Sequence, residues 1–183
     1  MQILENTTLL VIDMQLVAFD GKITPAITSG DRLLGNISTL IDVCRSMGVT
    51  VMFTQACAPP GKPYAVDSHG WEIHPALTPV SSEQIISKVG PSAFENAEFE
   101  KSLTSLGTTD IIVCGNWSES CVSITCRGAL KRGYNITLAA DGHGTVRTSE
   151  DEANTIIEEQ NELLARRGAD VISIKDISRT LRA

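Results

Sequence analysis

The stretch Asp110-Ile111-Ile112-Val113-Cys114-Gly115-Asn116-Trp117-Ser118-Glu119-Ser120-Cys121 decides how this chain folds. After Asp110 the run is apolar through Cys114, as a strand covered on both faces of a parallel sheet requires. Gly115 to Ser120 then turns the chain into a helix expected to run to about Arg132, with Gly133 as its stop. Strand, tight turn and helix in that order form half of a βαβ unit.

The same alternation extends in both directions. Upstream, Asn96 caps a helix carrying Phe99, Leu103 and Leu106 that ends at Gly107, and Gln84 to Lys88 reads as a strand. From Ala56 to Val80 the pattern fails, and five of the seven prolines fall there, so a long irregular excursion is expected. Thr50 to Gln55 is a strand, Arg32 to Met47 a helix with an apolar stripe from Leu33 to Cys44, and Thr8 to Ile12 the first strand. Downstream, Asn135 to Ala140 is a fifth strand. A Ser149-x-x-Glu152 capping box opens a helix to Arg167, Asp170 to Ile174 is a sixth strand, and a short helix ends the chain. The prediction is a single α/β domain over residues 1–183, a three-layer, doubly wound sheet of six mainly parallel strands.

Composition limits the function classes. The 183 residues carry a formal net charge of −7, and the basic clusters Lys131-Arg132 and Arg166-Arg167 sit at expected helix ends. That balance argues against nucleic acid as a partner. Leu9 to Ile12 is too short to span a bilayer, and the amino terminus does not read as a signal peptide, so a cytoplasmic protein is expected. Five cysteines without CxxC spacing are expected to be reduced thiols in that compartment.

Ligands of doubly wound sheets bind beyond the carboxyl ends of the strands. Asp13, Gln55, Lys88, the segment Asn116 to Cys121, Asp141 and His143 all fall in that zone. Cys121, in the first turn of a helix, would have its thiol pKa lowered by the helix terminus, whose free N–H groups could also receive an oxyanion. Asp13 could take the thiol proton and return it to a leaving amine. A Lys88 ammonium between them would favour the charged form of both. Each residue also has a plain structural reading: a buried cysteine, a capping aspartate and a lysine that protects a sheet edge.

In their order and spacing these motifs resemble the isochorismatase-like cysteine hydrolases. The resemblance rests on Val11-Ile12-Asp13-Met14-Gln15, on Lys88 ahead of Ser92-Ala93-Phe94, and on Gly115 to Val122 continuing through Thr125, Ala129 and Gly133-Tyr134. It implies a Rossmann-like strand order and a catalytic triad of Asp13, Lys88 and Cys121. It also implies a cis peptide between Asn116 and Trp117 that sets the N–H of Trp117 beside that of Cys121 as an oxyanion hole. Cleavage of a C–N bond in a small amide through a thioester would follow, in a homo-oligomer of two or more chains.

Vinyl-ether-cleaving relatives lack the nucleophilic cysteine, and nicotinamidase relatives carry a metal-binding Asp-x-His pair after the second strand. This chain has Thr54-Gln55-Ala56-Cys57-Ala58 at that point, so it resembles the general amidohydrolase branch, with no cofactor and no metal expected. His69 and His74 lack an evident third ligand, and His74 is expected to be structural. Phe19, Gln55, Trp71, Trp117 and His143 are the candidate substrate contacts, His143 having the alternative of fixing the loop after strand five. A catalytically silent binding or assembly module and a vinyl-ether hydrolase remain the competing readings.

Overall fold

A computed structural model describes residues 6–183. Strands β1 (Thr7–Ile12), β2 (Thr50–Ala56), β3 (Gln84–Lys88), β4 (Asp110–Asn116), β5 (Asn135–Gly144) and β6 (Asp170–Ile172) form one sheet. Its order is β3-β2-β1-β4-β5-β6, and every pairing is parallel. This is the doubly wound order: the chain leaves β1 toward β2 and β3, then crosses back so that β4 takes the other side of β1. All six residues of β1 are buried, as a central strand demands.

Strand alternation divides the core between the faces. Leu9 and Val11 point into one cluster with Ile37, Leu40 and Ile41 of α1 (Gly30–Ser46) and Ile177 and Leu181 of α5 (Ile174–Arg182). Leu10 and Ile12 point into the other with Phe99 and Leu103 of α2 (Ala97–Ser105), Cys126 and Ala129 of α3 (Ser123–Leu130) and Leu164 of α4 (Glu150–Ala165). The three layers expected from the sequence are those observed.

The elements differ from expectation where polar residues or glycines stay in register. β5 does not stop at Ala140. After an irregularity opposite Val113 to Gly115 it resumes, pairing His143 with Gly115 and Gly144 with Asn116, so His143 is a strand residue. β6 ends at Ile172 because Ser173 caps α5 through Asp176 N. Asp141, expected at the active edge, accepts the N–H of Ile174 at 2.8 Å and so anchors α5. Only half of the capping box on α4 forms. Ser149 accepts from Glu152 N, but the Glu152 carboxylate turns to Thr148 N and Oγ1.

The main departure is the helix after β4. A wide turn over Ser118–Val122 precedes α3, and the carbonyl of Trp117 accepts from Ser120 N (3.0 Å) and Val122 N (3.2 Å). The bond from Trp117 to Val122 spans five residues, the π-helical spacing, which occurs most often at functional sites. Cys121 therefore sits in a π-turn and not in the first turn of a regular α-helix.

Candidate active site

The topological switch between β1 and β4 gathers the three residues singled out from the sequence. Asp13 leaves β1 with φ +50°, a left-handed conformation that aspartate tolerates better than most residues. The register Ile12↔Thr54 brings β2 alongside, and Thr54 Oγ1 donates to Asp13 Oδ1 at 2.7 Å. The other carboxylate oxygen, Oδ2, lies 2.6 Å from Lys88 Nζ. Lys88, the last residue of β3, also donates to the carbonyl of Gly90 (3.1 Å) and to Cys121 Sγ (3.4 Å). An ammonium has three N–H donors, and here each has an acceptor. Asp13 is 1% exposed, Lys88 2% and Cys121 9%, so the group is screened from water but the thiol can still be reached.

The electrostatics correct one expectation. Cys121 does not have a lowered pKa: burial pushes it up, Asp13 adds to that, and Lys88 offsets only part. The resting thiol therefore keeps its proton. Burial pulls the Lys88 ammonium down, but Asp13 and Cys121 outweigh it, so Lys88 is raised above its ordinary value and stays charged.

The turn carrying Cys121 is held from both sides. The Asn116–Trp117 peptide is cis. Asn116 Nδ2 donates to the Asp13 carbonyl at 3.0 Å, tying the end of β4 to the end of β1. On the far side Ser118 Oγ contacts His143 Nδ1 at 2.8 Å, and His143 Nε2 contacts Asn161 Oδ1 at 2.9 Å. Asn161 Nδ2 donates to the Ala140 carbonyl, which turns its Oδ1 to the ring. His143 Nε2 is then the protonated nitrogen, and Ser118 donates to Nδ1. His143 is 2% exposed, and burial lowers its pKa. With both ring nitrogens engaged by protein, it fixes the turn. His143 and Asn161 of this relay also line a cavity of about 440 Å³, together with Arg32, Asn36, Asp141 and Glu158, and Cys121 is not part of its lining.

The irregular segment after β2 folds back over the same edge. Gln15 Nε2 donates to the carbonyls of Ala56 (3.0 Å) and Trp71 (2.9 Å), while its Oε1 accepts from Ala56 N. Gln55 Nε2 also donates to the Trp71 carbonyl at 2.9 Å. Gln55 therefore positions the loop, and the Trp71 indole donates to Cys57 Sγ at 3.4 Å. Phe19 packs edge-to-face on His74, with ring centroids 5.1 Å apart, and braces the start of α1. His74 caps a short turn by accepting from Ala76 N, while His69 is exposed beside Glu72. No group of three or more His, Cys, Asp or Glu among the described residues could hold a metal ion.

Three contributors escaped the sequence reading. Thr54 and Ser118 could have been found once the strand register was known, because both sit beside a residue already singled out. Tyr64, in the Pro-rich segment, carries no pattern at all. Its hydroxyl is buried near Asp13, Trp117 and Cys121.

Comparison with known proteins agrees with this architecture. The isochorismatase domain model matches residues 7–176. A streptothricin hydrolase of Streptomyces noursei is 34% identical over 137 residues, 75% of this chain and 54% of that protein, so the chain spans about half its length. An uncharacterized isochorismatase family protein of Bacillus subtilis is 30% identical over 143 residues, covering 76% of this chain and 78% of that one. A solved isochorismatase structure from Pseudomonas putida superimposes with a TM-score of 0.86 at 28% identity, over 94% of this chain and 90% of that one. The strand order and the match over nearly the whole chain lead to one conclusion: this protein belongs to the isochorismatase domain family.

Proposed function

We propose that the protein is a cysteine hydrolase that cleaves a C–N bond in a small amide. The observation that carries this reading is the buried contact chain Asp13–Lys88–Cys121, at 2.6 and 3.4 Å. A thiol that burial keeps protonated needs a base to become a nucleophile, and Asp13 is the carboxylate beside it. Thr54 and Lys88 fix both oxygens of Asp13, so the base is already oriented. Lys88 has no donor left over, which suits it to stabilising the nascent thiolate and not to acting as a proton donor.

In the proposed cycle Asp13 takes the thiol proton as Cys121 Sγ bonds to the carbonyl carbon. The oxyanion is received by the N–H of Trp117, oriented by the cis peptide, and by the N–H of Cys121, which the Trp117 carbonyl passes over in favour of Ser120 and Val122. Asp13 then protonates the departing amine, leaving a thioester on Cys121. Asp13 next takes a proton from water as the water oxygen attacks the thioester, and it returns that proton to the Cys121 sulfur as the C–S bond breaks and the acid is released. The relatives named streptothricin hydrolase support hydrolysis as the shared theme. The intact triad favours this reading over a silent module or a vinyl-ether hydrolase.

The test is mass spectrometry of acid-quenched protein during turnover of a panel of small amides. We expect the acyl part of the substrate to be found on the peptide containing Cys121. Steady ammonia release with Cys121 never modified would overturn the reading.

A further inference from the structure

Among the described residues several buried polar atoms at this edge, Asn116 Oδ1 and the Tyr64 hydroxyl among them, have no hydrogen-bond partner. Tyr64 lies in the turn after β2, where its carbonyl accepts from Ala58 N at 2.7 Å and Ala58 bridges to Ala65. The backbone on both sides is thus tied down. The phenol oxygen is buried, yet no group among the described residues hydrogen-bonds to it. Asp13, Trp117 and Cys121 are near enough to act on its ionisation.

A buried hydroxyl left without a partner is a standing cost to the fold. Buried hydroxyls without a partner are rare, and one beside the reacting edge calls for a ligand atom to satisfy it. We infer that Tyr64 is a specificity-determining residue whose hydroxyl donates to a second hydrogen-bond acceptor of the substrate, beside the scissile carbonyl. The inference rests on the cysteine-hydrolase reading above.

The role of donor follows from the surroundings. Burial raises the phenol pKa, and Asp13 and Cys121 add to the effect, so the group keeps its proton. The hydroxyl does not reach Asp13, whose oxygens lie against Thr54 and Lys88. Nor is its acceptor the scissile oxygen, which the two backbone N–H groups take in the proposed cycle. What remains is another oxygen or nitrogen of the substrate, so the preferred substrates are amides carrying a second carbonyl or similar acceptor close to the reacting one. A site built around such a donor discriminates against analogues that lack the acceptor, because its hydroxyl is then left buried and unpaired.

Malonamide and butyramide have similar length, and only malonamide carries a second carbonyl. Ammonia release from each is measured for wild type, Tyr64→Phe and Cys121→Ala, with thermal melts of all three. We expect wild type to favour malonamide in kcat/KM by about tenfold or more, and Tyr64→Phe to reduce that ratio toward one. The melting temperature of Tyr64→Phe should not fall, since the hydroxyl removed has no partner in the fold. An equal preference in wild type and Tyr64→Phe, or no hydrolysis of malonamide by wild type, overturns the inference and leaves the cysteine reading standing on other amides. Hydrolysis that survives in Cys121→Ala overturns the cysteine reading, and the role of Tyr64 falls with it.

Discussion

At the scale of single residues, the site is a charged group whose members depend on one another. Lys88 and Asp13 are both buried and 2.6 Å apart, so removing either leaves a charge without a partner in the interior. Lys88→Met keeps the length of the side chain but strands the Asp13 carboxylate. It should lower stability by about 3–5 kcal/mol in urea unfolding, well beyond the median surface ion pair. The sign of its pH dependence is fixed as well. Lys88 is raised above its ordinary value in the folded chain, so its contribution is complete below that value and lost only as pH climbs through the higher folded one. The destabilisation of Lys88→Met should therefore be the same at pH 6 and pH 8. Asp13, Lys88 and Cys121 were legible in the sequence because each terminates or follows a strand at a motif position. The protonation state of Cys121 was not, since it depends on burial and on the proximity of Asp13, which no one-dimensional pattern records.

At the scale of elements, the close packing of β1 against β4 sets where Cys121 can be. Gly115 has φ +126°, and a Cβ there would lie 2.2 Å from the carbonyl oxygen of Ile12. Both facts demand glycine: the first is a conformation other residues rarely adopt, and the second is a collision with backbone that cannot move aside. Gly115→Ala should cost about 3 kcal/mol or more, read as a fall in the urea midpoint; a cost below about 1 kcal/mol would show that β1 and β4 can separate. The strands and helices themselves were legible because their apolar periods match their burial, as in the unbroken run from Ile111 to Cys114. The extension of β5 to Gly144 and the π-turn at Ser118–Val122 were not. Each depends on a partner distant in sequence: β4 for the extension of β5, and His143 for Ser118 at the head of the turn.

At the scale of the whole molecule, the sheet joins the reacting edge to a buried histidine whose titration the fold opposes. His143 bridges the Cys121 turn to α4, and Asp141 and Glu119, which would favour its charged form, do not overcome burial. Its pKa is lowered, so its neutral form is compatible with the fold above its ordinary value. As pH falls below that, the unfolded chain takes up a proton the folded chain refuses, and stability declines. His74 is shifted the same way but is less buried, so it contributes less. Between pH 7.5 and 5.5 wild type should lose up to about 1 kcal/mol of unfolding free energy that His143→Gln does not lose. Identical pH profiles for the two proteins would remove His143 from this role. The doubly wound architecture was legible because strands alternate with helical crossovers, and ligands of such sheets bind beyond the carboxyl ends of the strands, while the strand order came from the resemblance. Gln55 and Trp71 were singled out from the sequence, but the place of Tyr64 was not legible, since an irregular segment rich in proline has no period to read.

The claim on which the account depends is that Cys121 is the nucleophile. The most direct measurement is kcat for the amide turned over fastest by wild type, determined for Cys121→Ala alongside it. The account predicts a fall of about a thousandfold or more, with Cys121→Ala still folded by circular dichroism. A folded Cys121→Ala protein that keeps a tenth or more of wild-type turnover would contradict it.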